Sequence, residues 1–221
     1  DNDRIIQGSH PVGWCPVDQN PVSQHDTMGD VEPKINDENY LVKFKLDEYV
    51  FPITTLRPET IFGITNLWVN PNTIYKKIKA DDEKWIVSQE CAEKLEFFGK
   101  EIIIQGDIKG TDLIGKFAKA PHTEQEIPIF EAEFVESGMG TGLVMSVPAH
   151  APKDYQALMD LKSKNHELAS KIEPIPIIVT EGYGKIPAKD VCEKLGVTDQ
   201  IDAKLEEATE ELYLKEFVNG K

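Results

Sequence analysis

From residue 40 onward, apolar and polar side chains alternate. Tyr40, Val42, Phe44 and Leu46 interleave with Leu41, Lys43, Lys45 and Asp47. A period of two turns one set of side chains to a buried face and predicts a strand. Residues 48–55 predict the next strand, and Leu67-Trp68-Val69 a third, stopped by Asn70-Pro71-Asn72. The period lengthens over 81–98, where Trp85, Ile86, Cys91, Leu95 and Phe98 approximate a helical stripe closed by Gly99. Short runs broken by Gly and Pro follow at 101–105, 117–118, 127–130 and 143–147, the pattern of a compact barrel. A second helix is predicted over 154–168, a buried strand over 175–179, and a third helix over 202–217 with an exposed acidic face. The expected fold is α+β: a β-barrel core with surrounding helices over residues 37–221, the helix 202–217 lying at its periphery. Residues 1–36, rich in Pro, Gly, Asp and Asn, read as a linker or β-ribbon leading into it.

Composition narrows the function classes. With 221 residues, 40% hydrophobic and 29% charged, the chain has the make-up of a globular domain. No apolar run approaches the roughly 20 residues that cross a bilayer, and no signal peptide opens the chain. The expectation is therefore no membrane association and a cytoplasmic location. The first residue is Asp1, which suggests a fragment of a longer protein. Three widely spaced cysteines, Cys15, Cys91 and Cys192, fit reduced thiols better than a disulfide framework. A net charge of -15 argues against a domain whose main task is gripping nucleic-acid backbone, since such domains present a basic face. Any RNA contact should be local.

Most candidate chemistry reads as ordinary structure. Cys15, Asp18, His25 and Asp26 lie close in sequence, but no second cysteine stands at metal-ligand spacing, so no metal is expected. The run Gly138-Met139-Gly140-Thr141-Gly142 precedes a strand instead of opening a helix. That removes the dinucleotide reading and leaves a tight turn where backbone passes close to something. Ser146 in an apolar strand and Cys91 in a predicted helix have no adjacent base to activate them. Two polar clusters remain. Thr54, Thr55, Arg57 and Thr60 crowd into seven residues after the apolar run Val50-Phe51-Pro52-Ile53. Nearly a hundred residues on come Met145, Val147, His150 and Asp154. Singly, the threonines fit strand or cap positions and Asp154 fits the first turn of a helix. Together they offer hydroxyl donors, an apolar wall and a cation site.

The order of these pieces resembles the editing domain of leucyl-tRNA synthetase in its archaeal or eukaryotic form. The resemblance rests on TTLRPETIFGITNLWVNP at 54–71, EIPIFEAEFVESGMGTGLVMSVPAHAPKDY at 126–155 and GWCPVDQNPVS at 13–23. Valyl and isoleucyl editing domains share the Thr-Thr…Pro and Gly-Thr-Gly themes, whereas Ile64-Thr65-Asn66-Leu67-Trp68-Val69 looks leucyl. A non-catalytic barrel that binds protein or RNA is the alternative from another class.

The resemblance implies hydrolysis of the ester joining a noncognate amino acid, such as isoleucine or norvaline, to the terminal adenosine of tRNA(Leu). One methylene in an apolar pocket is worth only about 1–3 kcal/mol, so synthetases remove errors at a second site. By the same resemblance, Thr60 excludes leucine by its bulk, and Met145 and Val147 line the side-chain pocket. Asp154 holds the substrate α-ammonium, while Thr54 and Thr55 lie near the ester and the attacking water with Arg57 beside them. His150 is counted with the substrate-binding set. No side chain is an obvious general base, so the implied mechanism is positional. Thr54, Thr55 and Asp154 orient the reactants, and a free hydroxyl of the terminal ribose assists proton transfer. Many bacterial members carry a second aspartate three residues before the ammonium-binding one, where this chain has Ala151, and a zinc ribbon whose cysteines are missing here beyond Cys15. The signatures of the class I synthetic site are absent. The expected partners are the 3′ CCA end of mischarged tRNA(Leu) and the rest of the synthetase, the expected state is a monomer, and no cofactor is expected in this fragment. ATP and Mg belong to the parent enzyme.

Overall fold

A computed structural model describes residues 13–15, 17–22, 40–121, 123 and 125–219. Among these residues β1 (Gly13–Cys15) and β2 (Asn20–Val22) form an antiparallel ribbon. The remainder of the expected linker, including His25 and Asp26, lies outside the described residues.

The predicted alternation at 40–46 becomes β3 (Tyr40–Leu46), with Phe44 and Leu46 buried. It pairs antiparallel along its whole length with β4 (Tyr49–Thr55), the chain reversing at Asp47, which takes φ +52. Further on lie β5 (Asn66–Val69), β6 (Ile74–Ala80), β7 (Glu83–Val87), β8 (Ile102–Lys109), β9 (Phe117–Lys119), β10 (Glu126–Glu131) and β11 (Val144–Ser146). The strands from β3 to β11 form one sheet of nine strands among the described residues, in the order β11-β5-β10-β9-β3-β4-β7-β6-β8. The fold is α+β as expected. Its sheet is open, with β11 and β8 as edges, so the word barrel fits it only loosely.

β5 shows why its sequence is apolar at every position. Leu67 and Val69 belong to the main core with Phe44, Phe51, Ile53 and Met145. Trp68, on the opposite face, packs with Phe130, Ala157, Leu158 and Leu161 under a helix. A strand covered on both faces reads as a continuous hydrophobic run.

The helices are α1 (Gln89–Phe97), α2 (Pro152–Ser163), the short α3 (Glu167–Ser170), α4 (Pro187–Leu195) and α5 (Lys204–Asn219). Three expectations change. The helix predicted over 81–98 is a strand followed by a shorter helix: Trp85 and Ile86 are buried in β7, which pairs with β6, and Ser88 caps α1 by accepting the Cys91 N–H (3.1 Å). A short apolar run admits either period, and here pairing with β6 decides it. The helix predicted over 154–168 breaks after Ser163, and Asn165 reverses the chain at φ +57 before α3. The buried strand expected at 175–179 does not form: Ile175 is 39% and Val179 74% exposed. Pro174, just before that segment, and Pro176 within it strip N–H donors from one edge, which disfavours a ladder there.

α4 and β6 stand where no element was expected. α4 opens on Pro187 at its first turn and closes on Gly196 at φ +66. Its Ala188 and Val191 pack on Ala208 and Leu212 of α5. Among the described residues no helix is long and apolar enough to cross a membrane.

Candidate active site

Thr54 and Thr55 end β4, still paired with Leu41 and Tyr40 of β3 but beyond the strand's pairing with β7. Among the described residues β4 pairs with β7 only at Val50 with Trp85, and Pro52 has no N–H to extend the ladder. The chain then folds tightly. The Arg57 N–H donates to Thr55 Oγ1 (3.0 Å). The Arg57 carbonyl accepts from both the Thr60 N–H (3.1 Å) and the Thr60 hydroxyl (2.7 Å). Pro58 opens a 3₁₀ turn, Pro58–Gly63, that buries Thr60. The Thr60 hydroxyl proton is thereby committed to the Arg57 carbonyl.

The second cluster comes from β11 and the start of α2. Asp154 sits in the first turn of α2, buried, with each carboxylate oxygen bound. The Trp68 indole donates to Oδ1 (3.0 Å) and the Val147 N–H to Oδ2 (2.8 Å). Loss of water raises its pKa from 3.8 to about 7, more than those two donors lower it. A carboxyl so poised gains most from a cation delivered into the same dry space.

These clusters meet in one cavity of about 820 Å³, lined by Thr54, Thr55, Arg57, Thr60, Met145, Val147, His150 and Asp154. That volume lies in the range of roughly 300–1,000 Å³ typical of small-molecule sites. All eight candidate residues therefore line a single cavity. Gly140, at φ +57, forms part of its wall, and a Cβ there would stand 2.2 Å from Thr54 Oγ1. This is the close backbone approach that the glycine run predicted.

Several lining residues stand beyond the eight candidates. Thr141 is buried with its Oγ1 unpartnered within the protein, so it adds a free hydroxyl to the wall. Thr209 and Tyr213 enter from α5. Tyr213 lies 4.9 Å from the Arg57 guanidinium, ring to charge. Glu216, also on α5, is buried and reaches both Arg57 Nη2 (2.7 Å, an ion pair off hydrogen-bond alignment) and His150 Nδ1 (2.6 Å). A signal existed for Glu216. Ala208, Leu212 and Glu216 recur every four residues, which puts a carboxylate on the buried stripe of an amphipathic helix.

The remaining candidates stay structural. Burial pushes the Cys91 thiol up to about 11 and that of Cys192 to about 12, the wrong direction for nucleophiles. Ser146 is buried with no base in hydrogen-bond reach. Cys15 Sγ lies 3.4 Å from Asp18 Oδ2, and among the described residues no three acidic, His or Cys side chains could hold a metal ion.

The comparisons point one way. A sequence model described as leucyl-tRNA synthetase, editing domain, matches residues 37–174. Leucine--tRNA ligases of Methanothrix thermoacetophila and Pyrobaculum aerophilum are 49% and 44% identical over 98% of this chain, which spans 23% and 22% of their lengths. The chain thus covers about a quarter of such relatives. Among solved structures, GlLeuRS-CP1 is 32% identical with a TM-score of 0.67, covering 79% of this chain and 73% of that one. The Plasmodium falciparum cytosolic leucyl-tRNA synthetase editing domain shares the fold with a TM-score of 0.71 at 24% identity, over 78% of this chain and 68% of that one. The cavity is lined mostly from within the matched span, with Thr209 and Tyr213 well beyond it, and this chain belongs to the leucyl-tRNA synthetase editing-domain family, whose members are aminoacyl-tRNA deacylase modules.

Proposed function

We propose that this cavity hydrolyses the ester of tRNA(Leu) mischarged with noncognate amino acids such as isoleucine or norvaline. The convergence of the two polar clusters on one cavity supports this most directly. Asp154 receives the α-ammonium, a contact every aminoacyl ester shares, and the gain is large because the carboxyl is desolvated beforehand. Met145 and Val147 form the apolar wall, and the Thr60 methyl sets how much side chain fits. The Thr54 and Thr55 hydroxyls hold water against the ester carbonyl. Thr55 Oγ1 already accepts the Arg57 N–H, so its proton points elsewhere and can be donated.

No side chain of the site is placed as a general base toward the ester, so proton transfer falls to the vicinal hydroxyl of the terminal ribose. An ester lacking that hydroxyl should be cleaved far more slowly, and an undiminished rate refutes substrate assistance. In the same reading residues 1–36 link the domain to its parent and 37–221 form the domain, which acts as a monomer in the cytoplasm. The parent supplies ATP and Mg chemistry and grips the tRNA body. This domain takes only the CCA end, which accommodates a net charge of -15. The test is deacylation of isoleucyl-tRNA(Leu) by this chain. Turnover supports editing, and binding without turnover by a folded protein favours the non-catalytic barrel.

A further inference from the structure

We propose that Glu216 is a positioning residue of the editing site, the one carboxylate that sets both the Arg57 guanidinium and the His150 imidazole; the proposal rests on the editing reading above. The site is assembled from four separated segments. Arg57 follows β4, His150 precedes α2, Thr180 lies in the connection to α4, and Glu216 is on α5. Their polar ends meet at one carboxyl group. Oε1 lies 2.6 Å from His150 Nδ1 and accepts from the Thr180 hydroxyl at 3.2 Å. Oε2 lies 2.7 Å from Arg57 Nη2. The side chain is fully buried, and a buried carboxylate carries a desolvation cost that a leucine at the same stripe position would not. Its retention on the helix stripe calls for a task that leucine cannot perform.

The hydrogen bonds show the task. His150 Nε2 accepts the Ile177 N–H at 2.9 Å and the Ile178 N–H at 3.3 Å, so it carries no proton. The neutral ring then bears its proton on Nδ1 and donates it to Glu216. The prolines that deny the 175–179 segment a strand leave these two N–H groups free to face His150. Arg57 is held on three sides: by Glu216, by Glu59 at 3.2 Å from Nε, and by the Tyr213 ring. The plane of the guanidinium is thereby set by its surroundings and not by its flexible stem. Both partners are donors toward Glu216, so the position needs acceptors at both oxygens. An amide cannot serve. With its oxygen toward His150 it turns NH₂ on the guanidinium, and with NH₂ toward His150 it meets the Nδ1 proton.

The experiment compares wild type, Glu216→Gln, Arg57→Gln, the double variant and Glu216→Asp on isoleucyl-tRNA(Leu), with Glu210→Gln on the exposed face of α5 as control. The expected result is at least a tenfold loss of kcat/KM for Glu216→Gln and a double variant that loses less than the two single losses combined, because the Arg57 contact is shared while the His150 contact is not. Glu216→Asp keeps two acceptors and should recover part of the rate. Glu210→Gln should match wild type. The His150 ring resonances give a readout independent of turnover: the Nδ1 proton seen in wild type should move or vanish in Glu216→Gln while the backbone spectrum stays folded. An unchanged rate in Glu216→Gln, an increased rate, or losses that add to those of Arg57→Gln would overturn the proposal. Should Glu216→Gln fail to fold, Glu216→Asp decides, since a folded Asp variant with neither rate loss nor a His150 shift contradicts it. Wild type without turnover contradicts the editing reading itself. Wild type active with Glu216→Gln unaffected contradicts the positioning role alone.

Discussion

In the proposed reading a single methyl group, that of Thr60, carries specificity. Its hydroxyl donates to the Arg57 carbonyl at 2.7 Å, and the side chain lines the cavity. Removing it should enlarge the pocket without disturbing the turn beyond one lost hydrogen bond, worth about 0.5–1.5 kcal/mol. Thr60→Ala should then cleave leucyl-tRNA(Leu), which the proposal has wild type spare; a leucyl ester that survives this variant excludes the steric role. The eight candidate residues were legible because their chemistry sits in two short clusters whose family order is recognisable. Thr209 and Tyr213, which line the cavity, and Glu216, which contacts its Arg57 and His150, were not, because they come from a helix whose many other acids hide the one on the buried stripe. Thr141 was named only as part of a glycine turn, and its unpartnered hydroxyl is visible only once the wall is built.

At the scale of elements, strands with clean alternation or continuous apolar runs were readable, and β3, β4, β5 and β10 fall close to their expected places. β6 was hidden by Lys76, Lys77 and Lys79 and by a register break at Lys77/Ile78, which keeps the buried Tyr75, Ile78 and Ala80 from alternating strictly. Tertiary pairing, not local propensity, made Trp85 and Ile86 a strand. α4 carried an opening proline and a closing glycine, signals strong enough to have been used. The 138–142 turn couples the site to α1: Gly142 takes φ +74, and a Cβ there would stand 2.6 Å from Cβ of Ser88, the α1 cap. Non-glycine residues in that conformation cost about 1–3 kcal/mol before any clash. Gly142→Ala should lower unfolding free energy by about 2–4 kcal/mol, measurable by urea titration, and a variant as stable as wild type would show that the turn relaxes freely.

For the whole molecule, Asp154 links the site to global stability. Burial raises its folded pKa from the ordinary 3.8 to about 7. Below about pH 4 folded and unfolded states both hold the proton, and the group costs nothing. Between there and pH 7 the unfolded chain releases it first, so stability falls as pH rises, and above pH 7 the whole cost is present. Against an Asp154→Asn variant, wild type should lose about 2–3 kcal/mol of relative stability between pH 5 and pH 8. A pH-independent difference between the two proteins would show that Asp154 titrates normally. In the proposed reading that stored cost is what the substrate α-ammonium would relieve. The most direct test is to present this chain with isoleucyl-tRNA(Leu) and leucyl-tRNA(Leu) side by side and follow ester cleavage. The account predicts that the isoleucyl ester is hydrolysed and the leucyl ester spared. Both esters intact in the presence of folded protein, or both cleaved at equal rates, would contradict it.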